Sequence, residues 1–251
     1  MKKLSVSFLG LILILSGCGG GSSSNDNDSV PLSGIWRATG TTNDFVALAF
    51  FEDGTYLYAV YDSDSSDGNV GGMELGTYSL DAETNLLTTT QTIDFNEGRG
   101  LSENISHFAV VNDNSITVSF GDNINSAIDE GESVVFSKSI TSNEVGIWRA
   151  TGTTNDFVAL AFFEDDTYLY AVYDSDSSDD NVGGMELGTY SLDAETHLLT
   201  TEQTIDFNGG RGLSENISHF VVVNDNSITV SFDDNINSTI DEGESLVFEG
   251  E

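Results

Sequence analysis

The 251-residue chain has one cysteine, three histidines and seven basic side chains. Five of the seven stand singly, at Arg37, Arg99, Lys138, Arg149 and Arg211. A phosphate-binding surface needs clustered lysine and arginine, so nucleic acid is excluded as a partner. A lone cysteine excludes a disulfide scaffold and, at Cys18, leaves no thiol nucleophile in the body of the chain. No pair of histidines has zinc spacing, and no G-x-S-x-G occurs. The longest apolar stretch, Leu4 to Leu15, is too short to cross a bilayer at about 20 residues per helix. What the chain does have is acid, with 42 Asp and Glu and a net charge of −35. It also has 38% hydrophobic and 10% aromatic residues, enough to build a core and to argue against disorder.

The N-terminus reads as a targeting segment over residues 1–17. Met1-Lys2-Lys3 precedes the apolar stretch, and Leu15-Ser16-Gly17-Cys18 follows it. This tetrapeptide resembles the lipobox of bacterial lipoproteins, which implies cleavage before Cys18 and acylation of its sulfur. Several acyl chains hold a protein firmly to a bilayer, since each buried methylene contributes about 0.8 kcal/mol. Gly19 rather than Asp follows the cysteine. In Gram-negative lipoproteins that resemblance implies an outer-membrane protein of the cell envelope. Loss of Lys2 and Lys3 would leave five basic residues against 42 acidic ones. Residues 18–33 are rich in Gly, Ser, Asn and Asp and predict a flexible tether.

The remainder is one unit written twice. Residues 34–136 recur at 146–248, offset by 112 without a gap. Over these 103 positions nine differ: Gly54/Asp166, Gly68/Asp180, Asn85/His197, Thr90/Glu202, Glu97/Gly209, Ala109/Val221, Gly121/Asp233, Ala127/Thr239 and Val134/Leu246. A unit this long is a small domain rather than a solenoid turn. Residues 137–145 are the linker, and each repeat is expected to fold alone.

Within a repeat, runs of Val, Ile, Thr, Tyr and Phe alternate with Gly, Asp, Asn and Ser clusters, which predicts an all-β fold. Eight strands are expected in the first repeat, over 34–39, 45–51, 55–61, 73–80, 86–93, 106–111, 116–120 and 133–137. Strands 45–51 and 55–61 are apolar on both faces, which suits either a closed barrel packed against something or an outer surface covered by the neighbouring repeat. Short turns between consecutive strands favour an eight-stranded up-and-down barrel. A pair of Greek-key β-sandwiches is the alternative. Gly34-Ile35-Trp36 resembles the G-x-W motif of lipocalins and other calycins, and Gly146-Ile147-Trp148 repeats it. The resemblance implies calycin-like barrels closed at one end by Trp36 and Trp148.

An even-stranded meander puts the long loops at one pole and the tight turns at the other. Eleven of the first repeat's 17 acids fall on the long-loop rim, and Arg99 is the rim cation. Crowded carboxylates repel and need counter-ions, and Ca²⁺ takes six to eight oxygen ligands. Asp62, Asp64 and Asp67 with Asp94 and Asn96 form a candidate calcium set. Asp174, Asp176, Asp179, Asp206 and Asn208 repeat it. The competing reading is a solvated polar loop on a surface selected for solubility in salt. His107 and His219 read as hydrogen-bonded rim residues, and Tyr56, Tyr58 and Tyr61 as barrel wall. Because a meander begins and ends at one pole, the linker is expected to join the tight-turn poles, with both rims pointing away from the junction. Three functions remain open: a non-catalytic binding or structural module, a lipocalin-like carrier of a small apolar ligand, and a carbohydrate-active enzyme using rim carboxylates. In the first, a small ligand or surface partner would meet the acidic loop end.

Overall fold

The computed structural model describes residues 32–39, 45–63, 70–98, 100–101, 107–119, 133–139, 144–151, 157–175, 182–210, 212–213, 218–233 and 245–250. The lipobox, residues 18–31 of the tether and residues 140–143 of the linker lie outside these residues.

Two closed eight-stranded antiparallel barrels account for the described chain. The first runs through β1 (Gly34–Ala38), β2 (Phe45–Phe50), β3 (Thr55–Asp62), β4 (Val70–Asp81), β5 (Leu86–Asp94), β6 (His107–Asn112), β7 (Ser115–Ser119) and β8 (Ser133–Lys138). The second repeats it as β9 (Gly146–Ala150), β10 (Phe157–Phe162), β11 (Thr167–Asp174), β12 (Val182–Leu192), β13 (Leu198–Asp206), β14 (Ser218–Asn224), β15 (Ser227–Asp233) and β16 (Ser245–Gly250). Strand order is sequential and closes with β1 on β8 and β9 on β16, so the up-and-down barrel holds and the Greek-key sandwich does not. Closure leaves no free edge.

Period-two alternation builds each interior. Leu48 and Phe50 of β2, Tyr56, Tyr58 and Val60 of β3, and Ile116 and Val118 of β7 share the first barrel's core with Trp36 and Phe136. Local chemistry sets the tight turns. Gly54 adopts φ +82°, and its counterpart Asp166 adopts +59°, a left-handed conformation that Asp tolerates. The Asp81 carboxylate accepts the amides of Glu83 and Thr84 at 2.9 and 3.0 Å, which holds that carboxyl below its usual range.

The structure departs from the sequence-based strands at Gly71-Gly72, which belong to β4 rather than to a loop. A Cβ on Gly71 would sit 2.7 Å from the Phe207 ring of the other barrel. One on Gly72, at φ +150°, would sit 1.9 Å from the Phe95 carbonyl oxygen. The glycines are there because two aromatic segments pass directly over them.

Candidate functional site

Each barrel holds one buried carboxylate. Glu74 points inward from β4 and is wholly buried. It accepts the Tyr56 hydroxyl, the Gln91 Nε2 at 3.1 Å and the Leu101 amide at 3.2 Å. The Leu101 carbonyl in turn accepts the Thr89 hydroxyl at 2.6 Å and faces His107 Nε2. One residue of the β5–β6 loop is thus fixed by both of its backbone groups. β5 and β6 pair in register only at Leu86–Phe108 and Leu87–His107, and the buried Leu101 side chain joins the interior cluster beyond that pairing. A Cβ on Gly100 would meet Glu74 Oε2 at 2.1 Å, so the approach needs glycine. The second barrel repeats the network with Glu186, Tyr168, Gln203, Leu213, Thr201 and His219. Burial and the Glu186 carboxylate push the Tyr168 phenol above its ordinary range, which keeps it a donor. His107 and His219 are therefore loop anchors, buried rather than on the rim. A lone acid at an inward-facing position of a predicted strand was the sequence signal for Glu74.

The rim residues separate on inspection. Asp64, Asp67, Asp176, Asp179 and Arg99 lie outside the described residues. Asp62 and Asp174 end β3 and β11, half-buried. Asp94 accepts the amides of Asn96 at 2.9 Å and of Gly98 at 3.1 Å, so its carboxylate already holds its own loop. Asp206 does the same for Asn208 and Gly210, at 2.8 and 3.0 Å. Asn96 and Asn208 are buried. Among the described residues no group of three or more His, Cys, Asp or Glu gathers in a way that would hold a metal ion.

Ion pairs cross between the barrels. Arg37 Nη1 meets Asp165 Oδ2 at 2.5 Å, and Arg149 Nη1 meets Asp53 Oδ2 at 2.6 Å. Arg37 stacks over Phe45 of its own barrel at 5.1 Å and Phe163 of the other at 5.2 Å. Arg149 does the same with Phe157 and Phe51, both at 5.3 Å. The rings touch edge to face, Phe45 on Phe163 at 5.7 Å and Phe51 on Phe157 at 5.8 Å. Every contact occurs twice with the roles exchanged, the signature of a two-fold relation. Burial alone would raise the Asp53 and Asp165 carboxyls. Thr55 with Arg149, and Thr167 with Arg37, outweigh it and hold both below the usual range.

This geometry corrects the expected junction. The barrels meet flank to flank rather than pole to pole, and Phe45 at the rim end of β2 lies on Phe163 at the tight-turn end of β10. Nor do both rims point away. Tyr61 and Phe95 at the first rim pack with Phe207 and Tyr173 at the second, at 6.3 and 6.2 Å. Of the three tyrosines read as wall, Tyr56 and Tyr58 line the interior and Tyr61 faces the other barrel.

No family model, curated protein or solved structure matches the chain.

At the tight-turn poles the tryptophans are held by carbonyls four residues earlier. Trp36 is wholly buried and donates its indole N–H to the Leu32 carbonyl at 2.9 Å. Trp148 donates to the Glu144 carbonyl at 2.8 Å. Lys138 lies over the Trp36 ring at 5.2 Å. At the second pole a cavity of about 560 Å³ opens beside Glu144 and His197.

Proposed function

We propose that the chain is a lipid-anchored protein of the bacterial cell envelope, whose two fused barrels form a non-catalytic binding or structural unit. Cys18 carries the lipid, and residues 19–29 hold the barrels off the outer membrane. The lipobox-like tetrapeptide and the polar tether support the anchor. Eight-stranded meanders with Trp36 and Trp148 buried near the tight-turn pole agree with a calycin-like relationship.

The observation that carries the non-catalytic reading is how each interior is spent. Large side chains fill it, with Trp36, Phe50, Tyr56 and Phe136 almost fully buried in the first barrel. The buried carboxylate and imidazole point at protein groups, Glu74 at Tyr56, Gln91 and Leu101, His107 at Leu101 and Ser119. A carrier needs an empty, apolar interior, and an enzyme needs titratable groups free to meet a substrate. Binding then falls to the outer surface.

Two measurements test this. Replacing Cys18 with Ala should move the protein from the membrane to the soluble fraction and remove a lipid-sized mass. Native mass spectrometry of protein released without detergent should give the bare polypeptide. A tightly held apolar molecule in each barrel would establish the carrier instead.

A further inference from the structure

We propose that the tight-turn pole of the second barrel binds a small organic cation, an amine carrying a compact apolar body. This deepens the reading above and rests on its placing of binding outside the barrel interiors.

The two poles share one backbone design and differ in side chains. In both, the tryptophan indole donates to the carbonyl of the residue four positions earlier, Leu32 in one barrel and Glu144 in the other. Leu32 is 8% exposed and packs into the first barrel's core cluster. A carboxylate cannot take that place without losing its hydration, so Glu144 stays half-buried at the mouth. Glu144 lines a cavity of about 560 Å³ there. Two of the nine differences between the repeats fall at the same spot. Val221, fully buried beneath the cavity, replaces Ala109, and the exposed His197 replaces Asn85. The His197 backbone is fixed at φ +60°, donating to Asp193 at 2.7 Å and accepting from Val221 at 2.8 Å.

The lining states the ligand chemistry. Leu192, Ala194 and Val223 give the lining apolar members, and Glu144 and Asp225 give it acidic ones. Anions are repelled by this pole and by the net charge of −35. A metal ion is not the match, since no group of three or more ligating side chains gathers among the described residues. An ammonium head on a short hydrocarbon meets both halves of the lining.

The test uses the full chain with Cys18→Ser, and the indole N–H resonances of Trp36 and Trp148, one per barrel, as reporters. The probe is n-hexylammonium chloride, with 1-hexanol supplying the body without charge and ammonium chloride the charge without body. Hexylammonium should shift the Trp148 signal saturably and leave Trp36 in place, with both controls about tenfold weaker. Glu144→Leu should abolish the shift, and Leu32→Glu should make Trp36 respond. Asp225→Asn, on an exposed turn, should weaken binding about threefold with an unchanged amide spectrum, as expected for one solvated ion pair. Equal shifts of both indoles, a shift that never saturates, or undiminished binding by Glu144→Leu would each overturn the site. Those results would leave the non-catalytic reading standing. That reading falls only to a ligand held inside the barrels.

Discussion

Each barrel has two flanks built from the same alternation, and they met different fates. The outward residues of β1 to β4, Ile35, Ala47, Ala49, Phe51, Leu57, Ala59, Met73 and Leu75, form one buried cluster with their counterparts in the other barrel. The outward residues Thr88 and Thr90 of β5, Val110 of β6, and Val135 and Ser137 of β8 are exposed. Small alanines in β2 and β3 let the sheets approach closely, while Thr and Ser on the open flank remain hydrated. Two near-identical repeats present the same flank, and its pairing with its own counterpart produces the doubled contacts across the junction. The difference teaches that the duplication is a covalently joined dimer, rather than two beads on a string.

The comparison breaks most sharply by charging the covered flank. Ala47→Asp together with Ala159→Asp puts carboxylates where the side chains are 1% exposed. Unpaired buried charge costs about 3–5 kcal/mol, so the junction should open and the melting temperature fall steeply. Thr117→Asp on the open flank should change stability by no more than about 0.5 kcal/mol. Similar melts for the two variants would mean the flanks are equivalent.

Glu74→Ala separates interior from flank. It strips a partner from the Tyr56 hydroxyl and the Leu101 amide, and an unsatisfied buried group costs about 1–3 kcal/mol. Amide exchange should quicken at Leu101 and around β5 and β6, and not across β2 and β10. Uniform loss of protection throughout both barrels would contradict a local anchor.

Arg37→Ala with Arg149→Ala should be milder. The arginine side chains are 30% and 32% exposed, so solvent screening limits each ion pair to about 1 kcal/mol or less. The sign with pH follows from Asp53 and Asp165, whose folded-state pKa values lie below 3.8. Their contribution is present above the unfolded pKa and is lost as pH falls through the folded value. The gap in melting temperature between wild type and the double variant should be widest near neutral pH and shrink as acid protonates these carboxylates. A gap that widens in acid would refute the pairing.

The smallest effect concerns the rim, where Asp94 and Asp206 already hold loop amides. Millimolar CaCl₂ should raise the melting temperature no more than NaCl of equal ionic strength, by screening alone. A calcium-only rise that Asp62→Asn/Asp64→Asn and Asp174→Asn/Asp176→Asn remove would establish a specific site.

Much of the fold was legible because β periodicity and the 112-residue offset are properties of the chain alone. The two apolar faces of β2 and β3 pointed to packing on the outside of the barrel without saying what covers it. Which way the barrels would meet was not legible, because the meander fixes where the chain enters and leaves a barrel but not which flank packs. Gly71 and Gly183 looked like loop residues, since their reason is an aromatic ring arriving from the other barrel. Glu74 was one acid among 42, and only its inward position in β4 sets it apart. The open second pole was hidden for a related reason. Leu32 and Glu144 lie just outside the matched repeats, where the comparison of the two copies stops.

The flank-to-flank junction is tested most directly by nuclear Overhauser effects across it, in a chain isotopically labelled in residues 18–139 only. Ring protons of labelled Phe45 and Phe51 should show cross-peaks to unlabelled Phe163 and Phe157, whose ring centres lie 5.7 and 5.8 Å away. Well-dispersed barrels that give no such cross-peaks would contradict the account.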